Sequence, residues 1–335
     1  MKSVQPNLPG AESRPTPKPA PRGAIGDSLL DRVGNTPLLR LDSLSREAGV
    51  PILAKAEWCN PGGSVKDRAA AAILAEARAS GKLPPGVRLL DSTSGNTGIA
   101  YAMLGAALGF PVTLCVPANV SVERKRILQA YGAEVLWTDP ADGSDGAIRR
   151  ARALAAAEPA RYYYADQYGN DANWHAHYQT TAEEIWFQTE GRVTHFLAVL
   201  GTSGTFVGTA RRLKERNPSV RCISLQPDSP FHGIEGAKHM ATAIVPRIYD
   251  PAVADRDLGI STEASYAMVK RLAREEGLLV GVSAAAAAVG CLEVARAMSP
   301  EARRDAMLVT IFPDAADKYL SERFWDDAPT ETFGH

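Results

Sequence analysis

The feature that most constrains this chain is a regular alternation, from residue 26 onward, of short β-branched apolar runs with longer helix-like runs. Such alternation favours a largely parallel sheet with helices packed on its faces, and it therefore predicts an α/β fold. The predicted strands span residues 87–92, 112–116, 134–138, 195–200, 222–226 and 307–312. The predicted helices span residues 69–79, 97–108, 122–131, 145–157, 173–188, 205–215, 262–276 and 284–298.

Size and charge narrow the class of protein further. A chain of 335 residues predicts about two domains at roughly 150 residues each. Residues 1–23 are rich in proline and poor in large apolar side chains, which is typical of a disordered tail. Lysine and arginine number 37 against 38 acidic residues, a net charge of −1, so no basic surface for nucleic acid is expected. No apolar run reaches the roughly 18 residues of a membrane-spanning helix, and no membrane association is expected.

The cysteines and histidines predict neither a disulfide framework nor a metal site. The four cysteines stand singly, without a Cys-x-x-Cys pair, at Cys59, Cys115, Cys222 and Cys291. This usage is typical of a reducing compartment, and we expect a cytoplasmic protein. His175 and His177 are two residues apart and would not share a helix face as a metal-binding pair does.

Ligands in open α/β sheets collect beyond the carboxyl ends of the strands, so the loops between strands and helices are the most informative. One such loop follows the predicted strand 195–200 and consists of Gly201, Thr202, Ser203, Gly204 and Thr205. Its small residues let backbone N–H groups approach an anion at a helix N-terminus, and its hydroxyls add donors. Because no Gly-Lys-Ser/Thr follows, a single phosphate monoester is the best match. The alternative is a turn of small residues that only allows close packing.

A second loop, residues 60–68, carries Lys66 behind two glycines at the mouth of an alanine-rich helix. The positive end of the helix dipole disfavours the ammonium form and makes a neutral, nucleophilic amine more accessible. Imine chemistry with an aldehyde requires such an amine. The alternative is a solvated lysine at a helix start.

A third loop joins the predicted strand 87–92 to the helix that begins near residue 97. It contains Thr93, Ser94, Gly95, Asn96 and Thr97. Its N–H and hydroxyl donors suit a carboxylate, and the Asn96 amide can donate to a phenolate-type oxygen. The alternative is a helix cap without a ligand.

A phosphate, a carboxylate and an imine-forming lysine together describe pyridoxal 5′-phosphate acting on an amino acid. The motifs closely resemble those of the cysteine synthase family, the β-replacement branch of the fold type II pyridoxal-phosphate enzymes. The resemblance runs from about residue 30 to residue 320. It rests on residues 34–38, 63–68, 93–98, 121–125, 130–134, 201–205, 313–314 and 318–320.

The resemblance implies an architecture like that of the tryptophan synthase β subunit, with two αβα lobes built on mostly parallel sheets. Residues 24–60 and 160–330 would form the large cofactor-binding domain. Residues 61–159 would form a small mobile domain that closes over the substrate carboxylate. A homodimer is also implied.

Site roles follow from the same resemblance. Lys66 would hold the cofactor as a Schiff base and then act as the base at the α-carbon. Asn96 would bond the cofactor's ring oxygen, residues 201–205 its phosphate, and Ser283 its pyridine nitrogen. The substrate carboxylate would be held by Thr93, Ser94, Gly95, Thr97 and Gln167.

The implied reaction is a ping-pong β-replacement that makes L-cysteine from O-acetyl-L-serine, or O-phospho-L-serine, and sulfide. Three alternatives remain open at this point. They are a cystathionine β-synthase-like replacement, a serine dehydratase-like elimination, and a non-catalytic paralogue that acts as a binding module.

The segment 232–246 departs from the common family pattern, which has a small glycine-rich loop there. It looks more like the O-phosphoserine-using sulfhydrylases, and Lys238 is the closest match to their basic residue. We therefore hypothesise that Lys238 binds substrate and helps to select the leaving group. The alternative is an exposed lysine on a mobile loop.

Overall fold

Two separate β-sheets organise the chain in the computed structural model, which describes residues 28–93 and 95–326. The predicted tail at residues 1–23 and the candidate residue Ser94 lie outside the described residues. The strands are β1 (Leu38–Arg40), β2 (Ile52–Ala56), β3 (Arg88–Ser92), β4 (Val112–Pro117), β5 (Glu134–Thr138), β6 (Tyr162–Tyr164), β7 (His195–Val199), β8 (Arg221–Pro227), β9 (Arg256–Ile260) and β10 (Leu308–Phe312).

The larger sheet has six strands in the order β1-β2-β10-β7-β8-β9. All neighbouring pairs are parallel except β1 with β2. The last strand of the chain, β10, therefore lies at the centre of this sheet, beside a strand from the first sixty residues.

The smaller sheet has four parallel strands in the order β5-β4-β3-β6. Strand β6 pairs with β3 in this sheet, although it follows residue 159, where the small domain is predicted to end. By strand pairing, the smaller sheet thus extends to Tyr164. The boundaries of the mobile domain stay a prediction.

The helices that cover the sheets are α1 (Asp42–Ala48), α2 (Lys66–Ala79), α3 (Asn96–Leu108), α4 (Val122–Ala130), α5 (Gly143–Ala157), α6 (Asp171–Ala176), α7 (Ala182–Gln188), α8 (Gly204–Arg216), α9 (Thr262–Glu275), α10 (Val282–Arg296) and α11 (Pro300–Arg304). A π-helical turn, His177–Thr181, joins α6 to α7. No helix among the described residues is both long and apolar enough to cross a membrane.

Each sheet is covered on both faces, because each has two hydrophobic clusters. One cluster of the larger sheet joins α1, α9 and α10, and the other joins α7 and α8. In the smaller sheet, α2, α3 and α4 contribute to one cluster and α5 to the other. The predicted fold of two αβα lobes with mostly parallel sheets is therefore confirmed.

The carboxyl ends of strands from both sheets supply the functional loops. Strands β2, β3, β6, β7 and β10 are followed by Lys66, Thr93, Gln167, Gly201 and Asp314, respectively. The two sheets thus place five chemically distinct loops where ligands are expected to bind.

Candidate active site

Lys66 is the first residue of α2, and a segment from the far end of the chain fixes its loop. Ser64 forms an isolated antiparallel bridge with Asp314, and the Val65 N–H donates to the Pro313 carbonyl at 2.8 Å. Burial lowers the pKa of Lys66 below its usual range, while the carboxylate of Asp314 acts in the opposite direction. The direction is the one predicted from the sequence, but its main cause is burial.

The loop after β3 is organised around internal hydrogen bonds. Thr93 Oγ1 accepts from the N–H groups of Gly95 at 3.0 Å and Gly98 at 3.2 Å. Thr97 Oγ1 donates to Gln167 Oε1 at 2.7 Å, and Gln167 Nε2 donates to the Ser92 carbonyl at 2.6 Å. The structure thus joins Gln167, 70 residues away in sequence, to the loop that was expected to hold a carboxylate.

The predicted phosphate loop, residues 201–205, packs closely against neighbouring residues at its two glycines. A methyl group on Gly204 would lie 2.1 Å from Asn173 Oδ1, and one on Gly201 would lie 2.3 Å from the Gly236 carbonyl oxygen. Ser203 adopts a left-handed conformation with φ 69°, which is strained for a non-glycine residue. The loop leads directly into α8, whose first N–H groups have no intrahelical acceptor.

The loop's side chains are held from behind by the helical segment 171–181. Asn173 Nδ2 donates to Thr202 Oγ1 at 3.1 Å, and Thr205 Oγ1 lies 3.2 Å from His177 Nε2. Burial lowers the pKa of His177 to about 3, so its imidazole is neutral at physiological pH. Buried Ser203 Oγ, by contrast, has no hydrogen-bond partner among the described residues.

Asp314 connects three parts of the site. Its Oδ2 accepts from Asn96 Nδ2 at 2.7 Å and from the Tyr319 hydroxyl at 2.6 Å. A methyl group on Gly281 would lie 2.1 Å from its Oδ1, so the start of α10, which carries buried Ser283, lies beside Asp314. Asp314 therefore contacts Asn96 directly and lies beside the start of the helix that carries Ser283, and these are the two residues expected to contact the cofactor ring.

A neutral cluster of four buried charges lies behind Lys66. Arg68 pairs with Glu57 at 2.8 Å and with Glu184 at 2.6 Å, and Lys55 pairs with Glu184 at 2.6 Å. The network joins β2, α2 and α7. Since two positive and two negative charges are matched, burial does not leave an isolated ion.

The site consists of an inner chamber and an outer cleft. Seven predicted site residues, Lys66 among them, and four further residues line the narrow inner chamber. Its lining is Lys66, Thr93, Gly95, Asn96, Thr97, Arg124, Gln167, Tyr168, Thr202, Gly236 and Tyr319. The outer cleft has a volume of about 1010 Å³ and is bordered mainly by residues 117–145 and 230–243. Arg124 and Gly236 line both spaces.

Lys238 lines the outer cleft rather than the inner chamber. The side chain is not exposed, since only 4% of the residue is accessible, and the alternative of an exposed lysine is wrong. Its Nζ forms an ion pair with Asp145 Oδ1 at 2.8 Å and lies 5.0 Å from the centre of the Tyr168 ring. Lys238 therefore connects the large lobe to the first turn of α5 in the small lobe.

Sequence reasoning missed four side chains of the site: Asp314, Tyr319, Arg124 and Tyr168. Asp314 carried a usable signal, because it follows β10 at the carboxyl end of a strand. Arg124 and Tyr168 carried none, since a basic residue in a first helical turn and a tyrosine in a loop are ordinary features.

The residues present fit pyridoxal 5′-phosphate. The phosphate loop offers the N-terminus of α8 and an unpartnered buried hydroxyl, Ser203 Oγ, to an anion. Lys66, whose pKa is lowered, lines the same chamber as Thr202 of this loop, and Asn96 Nδ2 keeps a second N–H besides the one it donates to Asp314. An aldehyde, a phosphate and a ring bearing polar atoms satisfy this set of groups.

Fold and site define the class as a pyridoxal-phosphate-dependent enzyme, and residues 29–314 match the family described as pyridoxal-phosphate dependent enzyme. A cysteine synthase of Aquifex aeolicus is 47% identical over 304 residues, covering 90% of this chain and 93% of that protein. An O-acetylserine dependent cystathionine beta-synthase of Bacillus subtilis is 37% identical over 303 residues, covering 89% and 97%.

The solved structures agree with this result. A cysteine synthase crystal structure from Entamoeba histolytica superposes with a TM-score of 0.86 at 34% identity, covering 93% of this chain and 94% of that one. The chain therefore belongs to the cysteine synthase family of pyridoxal-phosphate-dependent enzymes.

Proposed function

We propose that this enzyme makes L-cysteine from an activated serine, O-acetyl-L-serine or O-phospho-L-serine, and sulfide by β-replacement. The observation that carries the proposal is the inner chamber, which Lys66 lines together with residues 93 and 95–97 of the loop after β3 and with Thr202 of the loop after β7. The high identity to a cysteine synthase over nearly the whole chain supports the same activity.

When bound, pyridoxal 5′-phosphate supplies an electron sink that weakens the α-C–H bond of an amino acid and permits loss of its β-substituent. The chain's own residues bind the substrate and the cofactor and accept the proton that the substrate loses. We assign the α-proton to the Lys66 amine, whose lowered pKa favours the neutral form that accepts a proton.

The substrate carboxylate is assigned to Thr93, Gly95, Thr97 and Gln167, with Ser94 a candidate beside them. Thr97 Oγ1 donates to Gln167 Oε1 at 2.7 Å, so these two groups of the proposed carboxylate site are positioned relative to each other before substrate binds. The phosphate is assigned to Gly201, Thr202, Ser203, Gly204 and Thr205, and the pyridine nitrogen to Ser283. Asn96 would orient the ring through its side-chain amide.

A second candidate function is a β-replacement with a thiol amino acid in place of sulfide. It rests on the 37% identity to the Bacillus enzyme, which is described as a cystathionine beta-synthase dependent on O-acetylserine, and the 47% identity to a cysteine synthase favours sulfide over it. The two functions share the first half-reaction and differ only in the nucleophile. Product analysis with sulfide and with homocysteine, each at matched concentration, separates them.

We also propose a cytoplasmic location and a homodimeric assembly. A cytoplasmic location is supported by the four cysteines, which are all free thiols in the structure. A homodimer is supported by the family resemblance, and light scattering of the purified protein measures it directly.

Absorbance and a single substitution test the proposed function. We expect the purified protein to absorb visible light with bound pyridoxal phosphate, and Lys66→Ala to lose that absorbance and at least a thousandfold in turnover. The control is the circular dichroism spectrum of Lys66→Ala, which should match the wild type. A protein that stays colourless with added cofactor, or a Lys66→Ala variant with normal turnover, would contradict the proposal.

A further inference from the structure

Arg124 stands at the junction between the inner chamber and the outer cleft. It lies in the first turn of α4 in the small lobe, and only 3% of the residue is exposed. Besides Gly236, it is the residue that lines both spaces. Its side chain therefore lies where the outer cleft meets the chamber that Lys66 lines.

The guanidinium is held from the opposite lobe and from the chamber wall. Its Nη1 donates to Glu235 Oε2, and its Cζ lies 4.6 Å from the centre of the Tyr319 ring. Glu235 belongs to the large-lobe segment 230–243 that borders the cleft, and its side chain is one-third exposed. The pair therefore joins the two lobes at the entrance to the chamber.

One donor of this guanidinium is left over. Arg124 Nε is buried and has no hydrogen-bond partner among the described residues. A methyl group on Gly95 would lie 2.6 Å from this nitrogen, so Nε adjoins the loop expected to bind the substrate. Buried donors are nearly always satisfied, and leaving one unpaired in a charged group is costly. An acceptor that enters the chamber would satisfy this donor.

The chemistry of the proposed reaction supplies such an acceptor twice. The departing group, acetate or phosphate, is an anion, and so is the hydrosulfide that replaces it. In a ping-pong replacement the first anion leaves the β-carbon before the second adds to the same carbon, so a single anion-binding group near the chamber entrance can serve both. Arginine is suited to this position because it stays charged and presents several donors in a plane.

We propose that Arg124 is a specificity-determining residue that binds the small anions entering and leaving the chamber, in competition with the carboxylate of Glu235. This inference rests on the proposed function. It assigns Glu235 the role of a built-in competitor, which holds the guanidinium when no anion is present and gives it up when one arrives. Removing the two residues should therefore have opposite effects on anion affinity.

The test compares Arg124→Gln, Arg124→Lys and Glu235→Gln holoenzymes. The probes are acetate binding by calorimetry, acetate inhibition, and the KM for sulfide. We expect Arg124→Gln to weaken acetate binding and raise the KM for sulfide at least tenfold, and Arg124→Lys to recover part of the loss. Glu235→Gln should strengthen acetate binding and lower that KM at least threefold. These shifts should exceed any change in kcat.

Two matched controls change the charge nearby without touching the junction. The controls are Arg126→Gln and Glu263→Gln. Arg126 is exposed on the same helix, and Glu263 is exposed on the rim of the outer cleft. Both should stay within twofold of wild type. The inference is overturned if Arg124→Gln and Glu235→Gln shift acetate affinity in the same direction, as a purely structural ion pair would, or shift it no more than the controls. If Arg124→Gln does not fold, the sign for Glu235→Gln decides.

Failure of this inference and failure of the proposed function give different results. If the chain does not bind pyridoxal phosphate, every variant, the controls included, is colourless and inactive. If only the inference fails, all variants are coloured and turn over, and calorimetry shows unchanged acetate binding.

Discussion

Asp91 is the residue at which burial has the clearest consequence for pH dependence. It lies fully buried in β3, and its carboxylate accepts from the N–H groups of Ser92 at 2.8 Å and Gln167 at 3.1 Å. Burial raises the pKa of Asp91 to about 7. The folded chain thus holds a proton here that the unfolded chain releases near pH 4.

The sign of the effect follows from that difference. A raised carboxyl pKa contributes stability that is complete below about pH 4 and is lost as the pH rises through about 7. The contribution is on the order of 4 kcal/mol, from roughly three pKa units at 1.4 kcal/mol each. Asp91→Asn, which cannot ionise, should become more stable relative to wild type as the pH rises.

We expect the free energy of unfolding of Asp91→Asn, relative to wild type, to increase by about 3 kcal/mol between pH 5 and pH 9. Urea denaturation of both proteins with saturating pyridoxal phosphate measures it. The difference between the two proteins isolates Asp91 from Asp67, whose pKa burial also raises to about 7. A difference that does not vary with pH would show that Asp91 is ionised in the fold.

Lys238 bears on the choice of leaving group. Its ammonium lines the outer cleft, where a departing phosphate would emerge, but it is also paired with Asp145. We expect Lys238→Ala to lower kcat/KM for O-phosphoserine at least tenfold more than for O-acetylserine, because a dianion gains more from a nearby cation. Steady-state kinetics on both substrates measure the ratio. Equal losses on both would leave Lys238 only its role of joining the lobes.

At the scale of elements, the strongly apolar strands could be predicted from sequence and the others could not. The six predicted strands are all confirmed, within a residue or two at their ends. The missed strands were β1, β2, β6 and β9. Strand β2 contains Lys55, which is fully buried because Glu184 pairs with it. A partner 129 residues away leaves no local signal, so a buried lysine looks like a break in the strand.

The helix predicted at 173–188 shows a similar limit. The structure interrupts it with the π-helical turn His177–Thr181, which brings His177 to 3.2 Å from Thr205 in the phosphate loop. Such turns often occur at functional sites. Hydrophobic periodicity does not reveal one extra residue in a turn here, because the α-helical segments on either side have only six and seven residues.

The site was more predictable than the fold's weaker elements, since loops after strands carry chemical residues that sequence displays directly. Lys66, Thr93, Gly95, Asn96, Thr97, Gln167 and Thr202 do converge on one chamber. What sequence could not provide is the second set of contacts. Asp314 and Arg124 reach the site through tertiary packing between the lobes, and their partners Asn96 and Glu235 lie 218 and 111 residues away, respectively.

The phosphate loop has no room for a side chain at Gly201. A methyl group on Gly201 would meet the Gly236 carbonyl oxygen at 2.3 Å, and backbone cannot rotate away as a side chain can. We expect Gly201→Ala to displace the loop and raise the Kd for pyridoxal phosphate at least tenfold, about 1.4 kcal/mol. Spectroscopic titration of the apoprotein measures it.

The matched control is Gly259→Ala on β9. That position is exposed, and a methyl group there would approach Asp228 to 3.1 Å, which a small shift relieves. Its Kd should stay within twofold of wild type. A Gly201→Ala protein with wild-type affinity would mean that the loop tolerates the shift and that cofactor binding does not depend on the close approach.

At the scale of the whole molecule, residues 235–244 form one of the segments whose contacts join the two lobes around the cleft. Asp145 is central to them, because it pairs with Lys238 and accepts the N–H of Ile244 at 2.8 Å. Burial alone would raise the pKa of Asp145, but Lys238 and Ile244 outweigh it and hold that pKa below its usual range. The carboxylate is therefore charged, and these contacts are intact, throughout the physiological pH range.

If the small lobe moves to admit substrate, these contacts must break and re-form in every cycle. Asp145→Ala removes both, so the open form should become more populated. We expect hydrogen exchange at Ile244 to accelerate at least tenfold, equivalent to about 1.4 kcal/mol, and the KM for the amino-acid substrate to rise. Asp142→Ala, which removes only an exposed pair with Arg149, should change neither. If the Ile244 N–H exchanges equally fast in both variants, the contacts that keep the lobes closed lie elsewhere in the cleft.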